Sequence, residues 1–122
     1  MKNAQILLVE DDLFLRELYT DLLTAEGFHL ETAGDGETAL QKILQKKFDL
    51  ILLDHNLPKM TGLQILEKIK KTSSENKSIV FLTNTPDTQI LEQTKSDTLG
   101  YMIKSELSPE QFVQTVKQYL PQ

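Results

Sequence analysis

The sequence predicts an α/β domain of the doubly wound kind, with a five-stranded parallel sheet and five helices on its two faces. Three observations predict it. Short apolar runs alternate with longer stretches of helical spacing, five times in succession. Most of the runs are solid Ile, Leu and Val without polar alternation, which suits strands buried on both faces. At 122 residues the chain has room for one such domain, 1–122, and little for a second.

The first run, Ile6-Leu7-Leu8-Val9, leads into Glu10-Asp11-Asp12. Leu15, Leu18, Tyr19 and Leu22 then recur at helical spacing, and Gly27 offers a stop. Residues 28–33 set Phe28, Leu30 and Thr32 against His29, Glu31 and Ala33, as a half-exposed edge strand would. Asp35-Gly36 opens a helix with Ala39, Leu40, Ile43 and Leu44 on one face. The third strand, 48–53, runs directly into Asp54, and Thr61-Gly62 opens a helix carrying Ile65, Leu66 and Ile69. A polar loop over 71–77 leads to Ile79-Val80-Phe81-Leu82.

The next helix, expected over 86–97, has only Ile90 and Leu91 as large apolar residues and so little to anchor it. Tyr101-Met102-Ile103 forms the fifth strand. The last helix has Ser108 as N-cap, Pro109 in the first turn and Gln111 completing a capping box. Phe112, Val116, Tyr119 and Leu120 give it a buried stripe. Five β–α units in a row imply right-handed crossovers.

Composition narrows the function. The formal charge of −5 argues against direct nucleic-acid binding, which needs a basic face. The absence of cysteine excludes disulfides and thiolate metal sites. His55 should point away from the sheet's rim and His29 lies on the exposed side of the edge strand, so neither supports a zinc site. No apolar run approaches the ~20 residues of a membrane span, and a soluble cytoplasmic protein with no membrane partner is expected.

Four of the five strands end in reactive side chains. Strand 1 runs into Glu10, Asp11 and Asp12, strand 3 into Asp54, strand 4 into Thr83 and strand 5 into Lys104. Open α/β sheets bind ligands at that rim. Strand 2 contributes nothing, as expected if the order is 2-1-3-4-5 and strand 2 is an edge. Magnesium takes oxygen ligands and keeps several waters, so Asp11, Asp12 and Asp54 with a loop carbonyl could hold it. Asp54 could then act as a nucleophile toward phosphorus, with Lys104 and Thr83 on the phosphoryl oxygens.

At this point the chain resembles a response-regulator receiver domain of two-component signalling. The matching pieces are ILLVEDD at 6–12, LILLDHNLPKMTGLQIL at 50–66, IVFLTN at 79–84 and GYMIKSELSPEQF at 100–112. The resemblance implies a flavodoxin-like fold; flavodoxin and a chemotaxis protein are the reference cases for the strand order. It implies that Asp54 accepts a phosphoryl group from a sensor histidine kinase or a histidine phosphotransfer protein. Asp12 and Asp54 would be direct magnesium ligands, Asn56 would add its backbone carbonyl, and Asp11 would act through water. Thr83 would be the switch hydroxyl, Lys104 the phosphate-binding amine and Tyr101 the aromatic reporter. A downstream effector would bind the face formed by helix 4, strand 5 and helix 5.

Three positions depart from the family pattern. Ser105 stands where proline is usual, and a trans Lys104–Ser105 bond is expected because cis without proline costs roughly 2.5–4 kcal/mol. Asn84 replaces a small residue, and Thr61 an acidic one. The competing readings are an aspartate-nucleophile phosphohydrolase and a receiver-like interaction module with altered phosphorylation. The first lacks a second acid two residues after Asp54, where Asn56 stands; the second is opposed by Asp12, Asp54, Thr83 and Lys104.

Overall fold

The computed structural model describes residues 3–72, 76–84 and 87–121. Its elements run β1 (Gln5–Val9), α1 (Leu13–Ala25), β2 (His29–Ala33), α2 (Gly36–Gln45), β3 (Leu50–Asp54) and α3 (Gly62–Lys70). They continue with β4 (Ile79–Thr83), α4 (Thr88–Thr94), β5 (Gly100–Ile103), a 3-10 turn (Lys104–Glu106) and α5 (Pro109–Tyr119). All neighbouring strands pair in parallel, in the order β2-β1-β3-β4-β5. The doubly wound, flavodoxin-like fold read from the sequence is the fold of the molecule.

Alternation along each strand divides the core into two layers. Ile6, Leu8, Leu50, Leu52, Val80, Leu82 and Met102 pack with Tyr19 and Leu23 of α1 and Phe112, Val113 and Val116 of α5. Leu7, Val9, Ile51, Leu53, Ile79 and Phe81 face the other way, against Ala39 and Ile43 of α2 and Ile65, Leu66 and Ile69 of α3. Successive side chains of a strand point to opposite faces, so solid apolar runs are what two covered faces require. β2 pairs only with β1 and is largely unburied until Ala33, as an edge strand.

Helix starts follow the capping residues. Asp12, Asp35, Thr61, Asp87 and Ser108 each accept a hydrogen bond from a first-turn amide, and Thr61 and Ser108 complete capping boxes with Gln64 and Gln111. The helix expected over 86–97 is shorter, Thr88–Thr94, and its expected start at Pro86 lies outside the described residues. Thr94 is its one buried residue, so there is little packing to extend it. Peptide bonds among the described residues are all trans, including Lys104–Ser105.

Candidate functional site

Register brings the strand ends together. Asp54, the last residue of β3, is paired with Leu82, so the next residue of β4, Thr83, stands one step beyond it. Thr83 is paired with Ile103, and Lys104 follows as the first residue of the 3-10 turn. Glu10 follows the end of β1, with its amide donating to the Ala33 carbonyl at 3.0 Å. The chain thus delivers a carboxylate, a hydroxyl, an amine and a second carboxylate to one rim.

Lys104 is the hub. Its Nζ donates to Asp54 Oδ2 at 2.7 Å and lies 2.6 Å from Glu10 Oε2, with all three side chains nearly excluded from solvent. Lys104 thus pairs with both buried carboxylates at once. The other oxygens are held by backbone: Asn56 N–H donates to Asp54 Oδ1 at 3.0 Å and Asp12 N–H to Glu10 Oε1 at 3.1 Å. Arg16 Nη1 donates to the Glu10 carbonyl at 2.9 Å, tying the acidic turn to α1.

The electrostatics follow from burial. Burial pushes the Glu10 carboxyl up to about 7 against the pull of the Lys104 hydrogen bond, and the charge of Asp54 adds to the rise. For Lys104, burial draws the amine down, but the bonds to Asp54 and Glu10 outweigh it and its pKa is raised. One amine therefore serves two buried carboxylates, and the cluster has room for more positive charge.

Glu10, Asp11 and Asp54 each offer an oxygen within 4.8 Å of the others. Asp12, which the sequence reading made a direct ligand, is outside this group: its Oδ1 accepts from the Leu15 amide at 3.0 Å and caps α1. The sequence reading named Asp11, Asp12, Asp54 and Asn56 for the metal and did not include Glu10, which the structure places in this group. Helical spacing from Leu15 makes Asp12 the N-cap, which engages one of its carboxylate oxygens with the helix.

The remaining expected residues lie around this core. Thr83 is buried beside it, Asn56 is exposed in the loop after β3, and Asn84 is exposed beyond Thr83. Tyr101 is 45% exposed and, with Thr88, Leu91, Lys95 and Leu99, lines a groove of about 430 Å³ between α4 and β5. His55 sets its ring edge-on to Phe81, with centroids 6.0 Å apart.

The sequence matches the response regulator receiver domain family over residues 6–117. The chain belongs to that family. The sporulation initiation phosphotransferase F of Bacillus subtilis is 30% identical over 122 residues, covering 99% of this chain and 97% of that protein. A transcriptional regulatory protein CpxR homolog of Haemophilus influenzae is 46% identical over 71 residues, 58% of this chain, but this chain spans only 31% of its length. Among solved structures, the Vibrio cholerae chemotaxis protein CheY4 superimposes with a TM-score of 0.85 at 29% identity, over 96% of this chain and 98% of that one. The response regulator TrrA of Thermotoga maritima, solved in complex with Mg²⁺-BeF, gives 0.81 at 31% identity, over 98% and 100%.

Receiver domains are signalling switches of two-component systems and bind Mg²⁺ at an acidic site. They interact with histidine kinases and with downstream effectors. The acidic group of this receiver domain, Glu10, Asp11 and Asp54, is all hard oxygen, which suits that ion. No helix among the described residues is long and apolar enough to cross a membrane.

Proposed function

We propose that this receiver domain accepts a phosphoryl group on Asp54 from a sensor histidine kinase or a histidine phosphotransfer protein. The reaction depends on Mg²⁺, takes place in the cytoplasm and changes what binds the α4–β5–α5 face. The observation that carries this reading is the buried Asp54 carboxylate, held by Lys104 at 2.7 Å and by the Asn56 amide at 3.0 Å beside two further acids. A carboxylate fixed at a strand end is an oriented nucleophile.

Asp11 and Asp54, with the Asn56 carbonyl, would hold the cation, and Glu10 takes the place the sequence reading gave to Asp12. Its carboxylate, buried and within 4.8 Å of oxygens of Asp11 and Asp54, supports that role. When bound, the ion neutralises the carboxylates and the phosphoryl oxygens as charge shifts between them. One Asp54 oxygen attacks phosphorus, and the P–N bond to the donor imidazole breaks as the ring leaves with the electron pair. Lys104 transfers its hydrogen bond from Asp54 Oδ2 to a phosphoryl oxygen, and Thr83 binds another. Tyr101 reports the change in the groove beside α4.

The test is intact mass after incubation with Mg²⁺ and a small phosphodonor. A phosphoryl adduct is expected on the unmodified chain, none with EDTA and none on Asp54→Asn. An adduct of normal yield on Asp54→Asn would overturn the assignment.

A further inference from the structure

The loop between β3 and α3 carries Asn56, so its path decides where that carbonyl stands relative to Asp54. Both ends of the loop are tied to β3. The Asn56 amide donates to Asp54 Oδ1 at 3.0 Å, and the Gly62 amide donates to the His55 carbonyl at 3.0 Å. A methyl group on Gly62 would lie 2.9 Å from the Asp54 carbonyl oxygen and 3.0 Å from His55 Cα. The crest, residues 58–60, is held from elsewhere.

It rests on the first turn of α2. Gly36 N–H donates to the Pro58 carbonyl at 3.4 Å. A methyl on Gly36 would lie 2.5 Å from Met60 Cβ and 3.0 Å from its carbonyl carbon, and closer still to the carbonyl oxygen. These are backbone and Cβ atoms, which cannot swing aside as a side-chain tip can. At the crest Lys59 has φ +69°, a left-handed conformation that a residue with a Cβ avoids. Its amine lies 3.9 Å from Asp35 Oδ2 and 4.0 Å from Glu37 Oε2, on either side of Gly36.

We propose that Gly36 is a positioning residue of the cation site. The first turn of α2 sets the height of the loop crest and thereby the presentation of the Asn56 carbonyl to the ion. The proposal rests on the reading of the site given above. Magnesium demands near-ideal octahedral geometry at short distances, so a small displacement of one ligand is felt. Hydrogen-bond partners of metal ligands typically tune affinity by 10–100-fold, and Gly36, which meets Pro58 and Met60 rather than Asn56, belongs at the low end of that range.

The experiment is a Mg²⁺ titration of the whole chain followed by backbone amide resonances. Gly36→Ala is expected to weaken Mg²⁺ binding by about tenfold. Ile43→Val, which thins the buried face of α2 away from its first turn, should lower stability and leave the affinity unchanged. In the unmodified chain, saturating Mg²⁺ should shift the Gly36 and Glu37 amides along with those of the loop. Unchanged affinity in Gly36→Ala, or an equal loss in Ile43→Val, would overturn the proposal. Should Gly36→Ala not fold, still amides at Gly36 and Glu37 in the unmodified chain would overturn it. If Asp11 and Asp54 also gave no response to Mg²⁺, the cation site itself would fall, which is a separate failure.

Discussion

The acidic rim and the α4–β5 face lie a few residues apart and are built in opposite ways. At the rim, polar groups are buried: Glu10 and Asp54 meet Lys104, with Thr83 beside them, and each arrives from a different strand. At the α4–β5 face, apolar groups are exposed: Leu99 and Tyr101 stand in solvent, and α4 anchors itself through one buried residue. The first region is over-determined, because Glu10, Asp54 and Lys104 are each held by two partners. The second has few contacts to lose, so alternative placements of α4 and Tyr101 differ little in free energy. In the proposed function, chemistry is done where positions are fixed, and the outcome is displayed where they are not.

The largest effect should come from the well-anchored side. Phe112 is fully buried on α5 and stacks on Tyr19 with centroids 4.1 Å apart. Phe112→Ala should cost about 4 kcal/mol in urea unfolding. A cost near zero would mean that α5 is no better held than α4, and the contrast would be lost.

Next comes the electrostatic strain of the rim. Glu10 holds its proton up to about 7 in the folded chain against an ordinary value of 4.5. Below pH 4.5 the group is neutral in both states. Between 4.5 and 7 the unfolded chain ionises first, so folding stability in EDTA should fall as pH rises, by about 3 kcal/mol over the window. Glu10→Gln should flatten that slope. A slope of the same size in Glu10→Gln would assign the strain to another group.

On the display side the effects should be small. Leu91→Ala on α4 should cost less than about 1 kcal/mol, and α4 amides should exchange well before those of α5. Equal protection in the two helices would break the comparison. Smallest of all is Lys59→Gly, which relieves the left-handed residue at the loop crest. It gives up only weak exposed ion pairs and should change stability by no more than about 1 kcal/mol, in the favourable direction. A clear loss, read by the same urea curves, would show that the Lys59 ion pairs matter to the loop.

Most of this was legible in the residues. Solid apolar runs such as Leu50 to Leu53 have one stable home, a strand covered on both faces; the strand order came from the likeness to flavodoxin and a chemotaxis protein, with which the lack of chemistry at the end of strand 2 agrees. Asp54, Thr83 and Lys104 met at one rim because parallel strands bring their ends to the same edge. The turn after β1 was harder, since three acids in a row differ only in where the helix begins. Capping takes Asp12, and burial takes Glu10. The brace from Gly36 was not legible, because close approach between Gly36 and Met60 depends on tertiary packing that neither residue's type announces. The extent of α4 was hard to read for the opposite reason: where packing is thin, sequence has little to encode.

The caps have one more consequence. In a parallel α/β sheet every helix begins at the strand-end rim, so five partially positive helix starts face the region where an anion would be held. Many proteins of related topology seat phosphate directly on such a helix start. Here that seat is taken, since Asp12 fills the start of α1 and Thr61 the start of α3, the two helices that follow β1 and β3. Under the proposed function, a phosphoryl group on Asp54 would find its counter-charge in side chains and a metal ion rather than at a helix start. An anion bound to helix ends would be attached to two helices of the scaffold; one bound to Lys104 and Thr83 would be tied instead to the ends of β5 and β4.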